Sequence, residues 1–214
     1  MHPGSPASFE SGQTLPAESR RRLLEAMVRV AGSKGYRETT VADVVAEAES
    51  SEAAFHSHFA GRHDCFLAAY EEAIELQLAA VLATCDAGAP WTTRVRVGLE
   101  TLVDRFDADP ALARTAMVEA AVAGADALHL YFDAIGRFAA FLDAGREEDP
   151  GRALPDHIAL MTVGGVAGLI ADELAAARAG RLRDLLPDLV FSLLLPFVGA
   201  EAAGAEMQRV MPAH

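Results

Sequence analysis

The chain has 214 residues, of which 51% are hydrophobic and 23% are charged, a composition typical of a folded globular protein. Its 18 Lys and Arg against 31 Asp and Glu give a net charge of −13, so the molecule as a whole is not built to coat nucleic acid or an anionic membrane. Two cysteines cannot form a disulfide framework, and neither a secretory signal nor an unbroken membrane-spanning run is found. We therefore expect a cytoplasmic protein.

Charge is distributed unevenly along the chain. Residues 20–67 carry seven basic and seven acidic side chains, whereas residues 68–214 carry eleven basic and 22 acidic ones. The neutral segment opens with Arg20, Arg21 and Arg22, so it is the part best suited to meet a phosphate backbone. The alternative is that these arginines are simply the solvated start of a helix.

The first predicted helix follows a polar N-terminal stretch. Residues 1–18 are rich in Pro, Gly and Ser and predict a disordered arm. Apolar residues then recur with a helical period as far as Lys34. After the short elements considered next, the sequence predicts long helices and little strand, with rough spans of 62–84, 92–106, 110–122, 125–144, 155–179, 182–198 and 201–211.

Two short helices lie between the first and the fourth helix. Thr40 and Asp43 have the spacing of a capping box at the start of one, and Ser50 and Ser51 can cap the next. A long helix followed by two short ones joined by a tight turn is typical of a helix-turn-helix unit, whose last helix can enter a DNA major groove. By spacing alone the signal is weak, because most such helix triples are ordinary three-helix cores.

The residues at the helix boundaries add more specific information. The motifs are R-L-L-E-A at 22–26, G-Y-x-x-T-T-V-x-D-V at 35–44 and A-x-x-S-x-x-x-F-x-x-H-F-x-x-R at 48–62. Together they resemble the N-terminal signature of TetR-type transcriptional repressors. The resemblance implies an all-α homodimer that binds a roughly palindromic operator and releases it when a small molecule binds. It predicts a three-helix helix-turn-helix DNA-binding domain at residues 19–66 and a larger helical ligand-binding and dimerisation domain at 67–214.

The resemblance also gives candidate DNA contacts by position. Thr40 would contact a phosphate, residues 50–59 would form the recognition helix, and Arg62 stands where a lysine usually grips phosphate. His56 stands where the family usually has a tyrosine. With the arginine cluster, the candidate DNA-binding residues are Arg20, Arg21, Arg22, Thr40, Ser50, Ser51, Ala54, Phe55, His56, His58 and Arg62.

The chain departs from the family pattern at several of these positions. Glu49 replaces the usual turn glycine, Glu52 replaces a common lysine, and Ala42, Ala53 and Ala54 stand where polar contacts are common. An acidic side chain near a DNA phosphate is repelled by it. Alanine can still contact the methyl group of thymine. We therefore expect DNA binding that is weaker or differently specified than the family norm. The alternative is a helical ligand- or partner-binding protein that kept the scaffold without DNA recognition.

An effector site is expected on the helices between Trp91 and Asp172. A regulator needs a site whose occupancy favours one of two arrangements. The mix of residues suggests a mainly apolar ligand, with a cationic or hydrogen-bonding group for Glu119 or Asp172, although core packing is the alternative for each residue. The candidate ligand-binding residues are Trp91, Phe106, Met117, Glu119, Tyr131, Phe132, Phe138, Phe141 and Met161.

The last long helices are predicted to form a dimer interface. Both are too apolar for helices with one side in water, and two from each protomer can pair across a twofold axis into a four-helix bundle. Burial within one protomer is the alternative. The candidate interface residues are Ile158, Gly165, Leu169, Asp172, Leu189, Leu193 and Phe197.

No catalytic, cofactor or metal site is expected. His56, His58, His63 and Cys65 lie close together in sequence, but His56 and His58 fall on different faces of a helix, which disfavours a zinc site. The sequence contains no phosphate-binding loop and no nucleophile motif. We therefore do not expect an enzyme.

Overall fold

The structure, a computed structural model, describes residues 11–148, 153–176 and 182–211, and all regular structure in these ranges is helical. The α-helices are α1 (Ser11–Lys34), α2 (Val41–Glu47), α3 (Glu52–His58), α4 (Arg62–Thr84), α5 (Trp91–Ala108), α6 (Pro110–Arg114), α7 (Ala120–Ala123), α8 (Ala125–Asp143), α9 (Ile158–Ala175) and α10 (Leu182–Gln208). A π-helical turn (Thr115–Glu119) joins α6 to α7, and a 3-10 turn (Ala144–Glu147) follows α8. The predicted all-α fold, with an N-terminal helix-turn-helix and a larger helical part, is confirmed.

The short helices α2 and α3 begin where their capping residues predict. Thr40 Oγ1 accepts a hydrogen bond from the Asp43 amide at 3.2 Å, and the Asp43 carboxylate accepts one from the Thr40 amide at 2.7 Å, which completes the capping box. Ser51 Oγ accepts from the Ala54 amide at 3.1 Å. Glu49, in the turn between them, has a φ of 48°, in the left-handed region that costs a non-glycine residue about 1–2 kcal/mol.

The larger part of the molecule is built around α4 and α5. Helix α4 starts in the helix-turn-helix unit and continues without a break past residue 66, where the sequence predicts a domain boundary. Helix α10 packs along α5, and α8 packs on both α4 and α9. These five helices surround an apolar interior.

Three helix boundaries differ from the sequence prediction. Helix α1 begins at Ser11, so residues 11–18 of the predicted arm are helical, while residues 1–10 lie outside the described part of the chain. The helix predicted at 110–122 is interrupted by the π-helical turn. The last two predicted helices form one stretch, α10, which is broken in conformation at Gly199, with φ 79° and ψ 174°.

Candidate DNA-binding head and effector cavity

The helix-turn-helix unit of α1, α2 and α3, called the DNA-binding head below, would meet DNA through the exposed face of α3. It presents Glu52, Ala53, His56 and Ser57, all exposed, and Ser51 at its N-terminus. This face carries one acidic side chain and neither lysine nor arginine. Any attraction to phosphate must therefore come from the neighbouring elements.

Phe55, predicted from its place in the recognition helix to contact DNA, faces the opposite way. Its side chain is fully buried, with its ring centroid 5.5 Å from that of Phe59. The two phenylalanines are one helical turn apart and anchor α3 to the core of the head. The prediction for Phe55 is thus wrong, because an apolar residue on the inner face is held by packing. Ser50, Ala54 and His58 are half-buried.

Two of the three clustered arginines already have acidic partners within the chain. Arg21 lies 2.6 Å from Glu18 and also pairs with Glu25, both on its own helix. Arg20 lies 3.5 Å from Glu72 of α4, with its guanidinium over the ring of Phe59. Arg22 is exposed and has no carboxylate partner among the described residues. Arg22 is therefore the member of the cluster best placed to reach a phosphate.

Arg62 supports the loop before α2. Its Nη1 donates to the carbonyl oxygens of Thr39 at 2.7 Å and Arg37 at 3.2 Å, and its guanidinium stacks over the Tyr36 ring at 4.5 Å from the centroid. Tyr36 in turn exchanges a hydrogen bond with His63 at 3.1 Å. Replacing Arg62 would disturb the position of α2 as well as any phosphate contact.

Thr40 is exposed at the start of α2, but its hydroxyl is engaged in the capping box. Asp43 accepts from the Thr40 hydroxyl at 2.6 Å and from Lys34 Nζ at 2.7 Å. The hydrogen bonds from Lys34 and Thr40 lower the pKa of Asp43 to about 2. The entry to α2 is therefore fixed by an ionised carboxylate at neutral pH.

An apolar cavity of about 100 Å³ lies between α4, α5, α8, α9 and the π-helical turn. Five of the predicted ligand-binding residues line it: Phe106, Met117, Tyr131, Phe138 and Phe141. The polar atoms in the wall come from Tyr70, Gln77 and Tyr131. Gln77 is satisfied internally, since its Oε1 accepts from Arg105 Nε at 2.6 Å. Burial raises the pKa of both tyrosines, and the neighbouring Tyr131 adds to the shift at Tyr70.

Four predicted ligand-binding residues do not line this cavity. Trp91 is buried against Phe197, with ring centroids 5.3 Å apart. Phe132 and Met161 point outward, with 58% and 69% of their surfaces exposed. Glu119 is buried outside the cavity. Each prediction was based on residue type alone, whereas the helix face on which the residue lies directs its side chain away from the cavity.

The wall residues that were not predicted from the sequence lie mainly on α4, α5 and α9, with a few on α8 and α10. Helix α4 contributes Tyr70, Ile74, Gln77 and Val81, at a spacing that keeps them on one face. A buried glutamine within an apolar stripe is the signal that could have drawn attention to α4. Helices α5, α9 and α10 add Val95, Leu99, Val163, Val166, Ile170 and Leu193.

The π-helical turn joins the cavity to the DNA-binding head. Ala116 and Met117 line the cavity, whereas Thr115 Oγ1 donates to the Val28 carbonyl of α1 at 2.9 Å. Glu119 accepts from the Tyr36 amide at 2.8 Å, in the loop before α2. π-helical turns are rare and frequently occur at functional sites. Here the π-helical turn contacts both the cavity and the DNA-binding head.

Arg114, just before this turn, ties three elements together. Its guanidinium donates to the Gly32 carbonyl of α1 at 3.1 Å, to the Leu174 carbonyl of α9 at 2.9 Å and to Glu119 at 3.2 Å. Glu119 is almost completely buried, and its carboxylate oxygens accept from the Arg114 guanidinium and from the Tyr36 amide. The role predicted for Glu119 as a ligand partner is replaced by a structural one.

The predicted dimer residues divide into two groups. Gly165, Leu169 and Asp172 are exposed on α9, and Ile158 is half-buried. Leu189, Leu193 and Phe197 of α10 are buried within the chain, so they are not available to a partner and these three predictions are wrong. Exposed apolar side chains that were not predicted for this face are Leu160, Met161 and Leu195.

The head matches a known family in sequence. Residues 23–69 match the model of the bacterial regulatory proteins of the tetR family. No curated protein matches the chain significantly in sequence.

Solved structures of bacterial transcriptional regulators share the fold of most of this chain. The fatty acid degradation regulator FadR from Bacillus halodurans has a TM-score of 0.72 at 14% identity, covering 86% of this chain and 96% of that one. FadR from Bacillus subtilis, solved in complex with stearoyl-CoA, has a TM-score of 0.71 at 14% identity, with coverages of 84% and 98%. A TetR family regulator from Marinobacter aquaeolei VT8 has a TM-score of 0.62 at 17% identity, with coverages of 89% and 97%.

The helix-turn-helix head thus matches the tetR family of bacterial regulatory proteins, and the larger helical part shares the fold of solved transcriptional regulators. The resemblance inferred from the sequence is confirmed by the family match over residues 23–69 and by the shared fold.

Proposed function

We propose that this chain is a ligand-responsive repressor that binds a palindromic operator as a cytoplasmic homodimer and is released by a small, mainly apolar effector. The supporting observation is the π-helical turn. Its residues Ala116 and Met117 form part of the cavity wall, and its residues Thr115 and Glu119 hold α1 and the loop before α2. A ligand that displaces this wall therefore also acts on the position of the DNA-binding head.

The proposed domain division places residues 19–66 in the DNA-binding head and residues 67–214 in the effector and dimer domain. FadR of Bacillus subtilis was solved with stearoyl-CoA, a ligand with a long apolar chain, which is in keeping with an apolar effector here. The apolar lining of the cavity supports the same class of ligand.

The proposed dimer forms through the exposed face of α9 together with the outer side of α10. By length and composition, helices α9 and α10 are each apolar enough to cross a membrane. Only 22% and 33% of their most apolar stretches are buried inside the chain, which leaves apolar surface for a partner to cover. On α9, Cβ atoms added at Gly164, Gly165 and Gly168 would meet nothing within 4 Å, so a second helix can approach closely. A twofold dimer would place the recognition helices about 34 Å apart, one turn of DNA.

The DNA contacts proposed for the head are Arg22, Thr40, Ser51 and His56. Arg22 supplies phosphate attraction, whereas His56 lies on the exposed face of α3 and would reach base edges or backbone. Arg20 and Arg21 contribute less, because their guanidiniums are engaged by carboxylates.

Gel retardation with the DNA upstream of the chain's own gene tests this proposal. We expect a shifted complex whose affinity falls steeply between about 50 and 200 mM salt. Arg22→Ala should weaken binding to all sequences alike and reduce the salt dependence by about one charge, whereas His56→Ala should change sequence preference.

Arg21→Ala is the matched control, because it removes the same charge from a neighbouring exposed position that is already paired. It should weaken binding less than Arg22→Ala. No retardation at low salt would instead favour a helical ligand- or partner-binding protein without DNA recognition, a candidate supported by Glu52 on the exposed face of α3.

A further inference from the structure

The volume of the apolar cavity limits the size of an effector. The cavity measures about 100 Å³. For comparison, an apolar protein cavity of about 150 Å³ holds one benzene molecule. A single ring is therefore about the largest ligand that this space accepts without being enlarged. A long acyl chain, such as that of the stearoyl-CoA bound to FadR of Bacillus subtilis, exceeds it.

The wall of the cavity offers nothing to balance a charge on a ligand. Among the described residues, no acidic or basic side chain lines it. The Tyr70 hydroxyl donates to the Ala116 carbonyl at 3.2 Å. Gln77 is engaged at both ends, since Nε2 donates to the Ala73 carbonyl at 3.3 Å and Oε1 accepts from Arg105 Nε at 2.6 Å. Because an ionised ligand would lose its hydration here without gaining a partner, the cavity selects uncharged compounds.

Tyr131 differs from the other polar residues of the wall. It is half-buried, and its hydroxyl makes no hydrogen bond to any described residue. A hydroxyl group can donate and accept one at the same time. Tyr131 is therefore the side chain of the wall that can satisfy a single uncharged polar substituent on a ligand.

The composition of the wall favours an aromatic ligand over a saturated one. The wall includes five aromatic side chains and one methionine: Tyr70, Phe106, Met117, Tyr131, Phe138 and Phe141. Aromatic rings attract one another in edge-to-face and offset arrangements beyond what the buried area alone provides. A thioether also makes favourable contacts with the edge of a ring. An aromatic ring therefore gains contacts in this cavity that a saturated ring of similar size does not.

We propose that the effector is an uncharged aromatic compound with a single ring, which binds within the cavity between α4, α5, α8 and α9. This inference rests on the proposed function, in which occupancy of the cavity controls DNA binding. A ring that fills the cavity contacts Ala116 and Met117 of the π-helical turn, the segment that also holds the DNA-binding head. The cavity selects against benzoates, fatty acids and acyl-CoA thioesters, the first by charge and the others by charge and size.

Calorimetric titration of the full chain at neutral pH with two matched pairs of compounds tests the inference. Nitrobenzene and benzoate have the same shape and differ in charge, and nitrobenzene should bind at least about tenfold more tightly. Toluene and methylcyclohexane are similar in size and differ in aromaticity, and toluene should bind several-fold more tightly. Benzoate binding as tight as that of nitrobenzene would overturn the uncharged class, and methylcyclohexane binding as tight as that of toluene would overturn the aromatic class.

Variants of the wall test whether the ring binds in this cavity. Phe138→Ala should enlarge the cavity and admit naphthalene, which the wild type should not bind detectably. Phe132→Ala is the matched control, because Phe132 lies on the same helix but is 58% exposed and outside the cavity. Val163→Phe should fill the cavity from α9 and abolish toluene binding in a protein that keeps its helical circular dichroism. Naphthalene binding by the wild type as tight as that of toluene, or equal effects of Phe138→Ala and Phe132→Ala, would overturn the assignment.

If none of the aromatic compounds binds, the inference fails whatever the protein does with DNA. Retardation of upstream DNA, measured on the same preparation, then decides whether the DNA-binding half of the proposed function stands. Release of a retarded complex by toluene, at the concentrations that saturate the calorimetric binding, is the supporting result. A complex that persists at those concentrations would overturn the effector role of the ring.

Discussion

Replacing Gly32 with alanine should separate α1 from α6 and destabilise the protein. An added Cβ would lie 2.0 Å from the Ala111 carbonyl oxygen and 2.5 Å from its carbon, both of them backbone atoms. Since nonbonded carbon contacts are optimal at about 3.5–4.0 Å, the two helices must move apart by roughly 1.5 Å. The same movement stretches the hydrogen bond from Arg114 to the Gly32 carbonyl.

The size of the effect follows from opposing contributions. Overpacking costs about 1–3 kcal/mol, and weakening a hydrogen bond from a charged donor costs about 1.5–3 kcal/mol at most, less here because Arg114 is partly exposed. Alanine in a helix interior recovers about 1 kcal/mol relative to glycine. We therefore expect a net loss of about 2–4 kcal/mol in the free energy of unfolding.

Gly136→Ala is the matched control. Gly136 is also helical, in α8, but a Cβ there would meet nothing within 4 Å. The same substitution should therefore stabilise the protein by about 0.5–1 kcal/mol. Urea unfolding of both variants and the wild type, at one protein concentration, gives the comparison. A Gly32→Ala protein as stable as the wild type would refute the close approach of α1 to α6.

Two further predictions concern the dimer and the entry to α2. Leu169→Arg, on the exposed face of α9, should convert the dimer into a monomer, as measured by light scattering at micromolar concentration. Leu82→Arg, at a similarly exposed leucine of α4, should leave the dimer intact. A Leu169→Arg protein that stays dimeric would exclude the α9 face as the interface. Asp43→Asn should lower the urea midpoint at neutral pH. Because the folded pKa of Asp43 lies near 2, below the unfolded value of about 3.9, the difference from wild type should persist above about pH 4 and vanish as the pH falls through 2. A constant difference across that range would contradict the ionised cap.

Local signals in the sequence predicted the starts of α2 and α3 accurately. The capping box at Thr40 and Asp43 and the cap at Ser51 involve residues three positions apart, so their geometry depends on little else. Carrying over the whole recognition helix from the family puts Phe55 on the DNA side. Its spacing of four from Phe59 already put both rings on one face, the buried one.

The long apolar helices were harder to interpret, because their composition does not say which face is covered. Helix α10 is apolar nearly all round, and its inner residues Leu189, Leu193 and Phe197 pack within the chain, with α5 as the main neighbouring helix. Helix α9, similarly apolar, keeps Met161 and Leu169 exposed. The difference depends on contacts between helices far apart in sequence, which a periodic pattern cannot specify.

Glu119 shows where inference from the sequence ends. An acid in an apolar stretch must either reach water or find donors, since an unpaired buried charge costs several kcal/mol. The sequence therefore requires a partner for Glu119, and a cationic or hydrogen-bonding ligand was one candidate. The structure supplies the Tyr36 amide, 83 residues away, and the guanidinium of Arg114, five residues away. Because one of those donors belongs to the DNA-binding head, the same carboxylate that satisfies the fold also ties the head to the wall of the cavity.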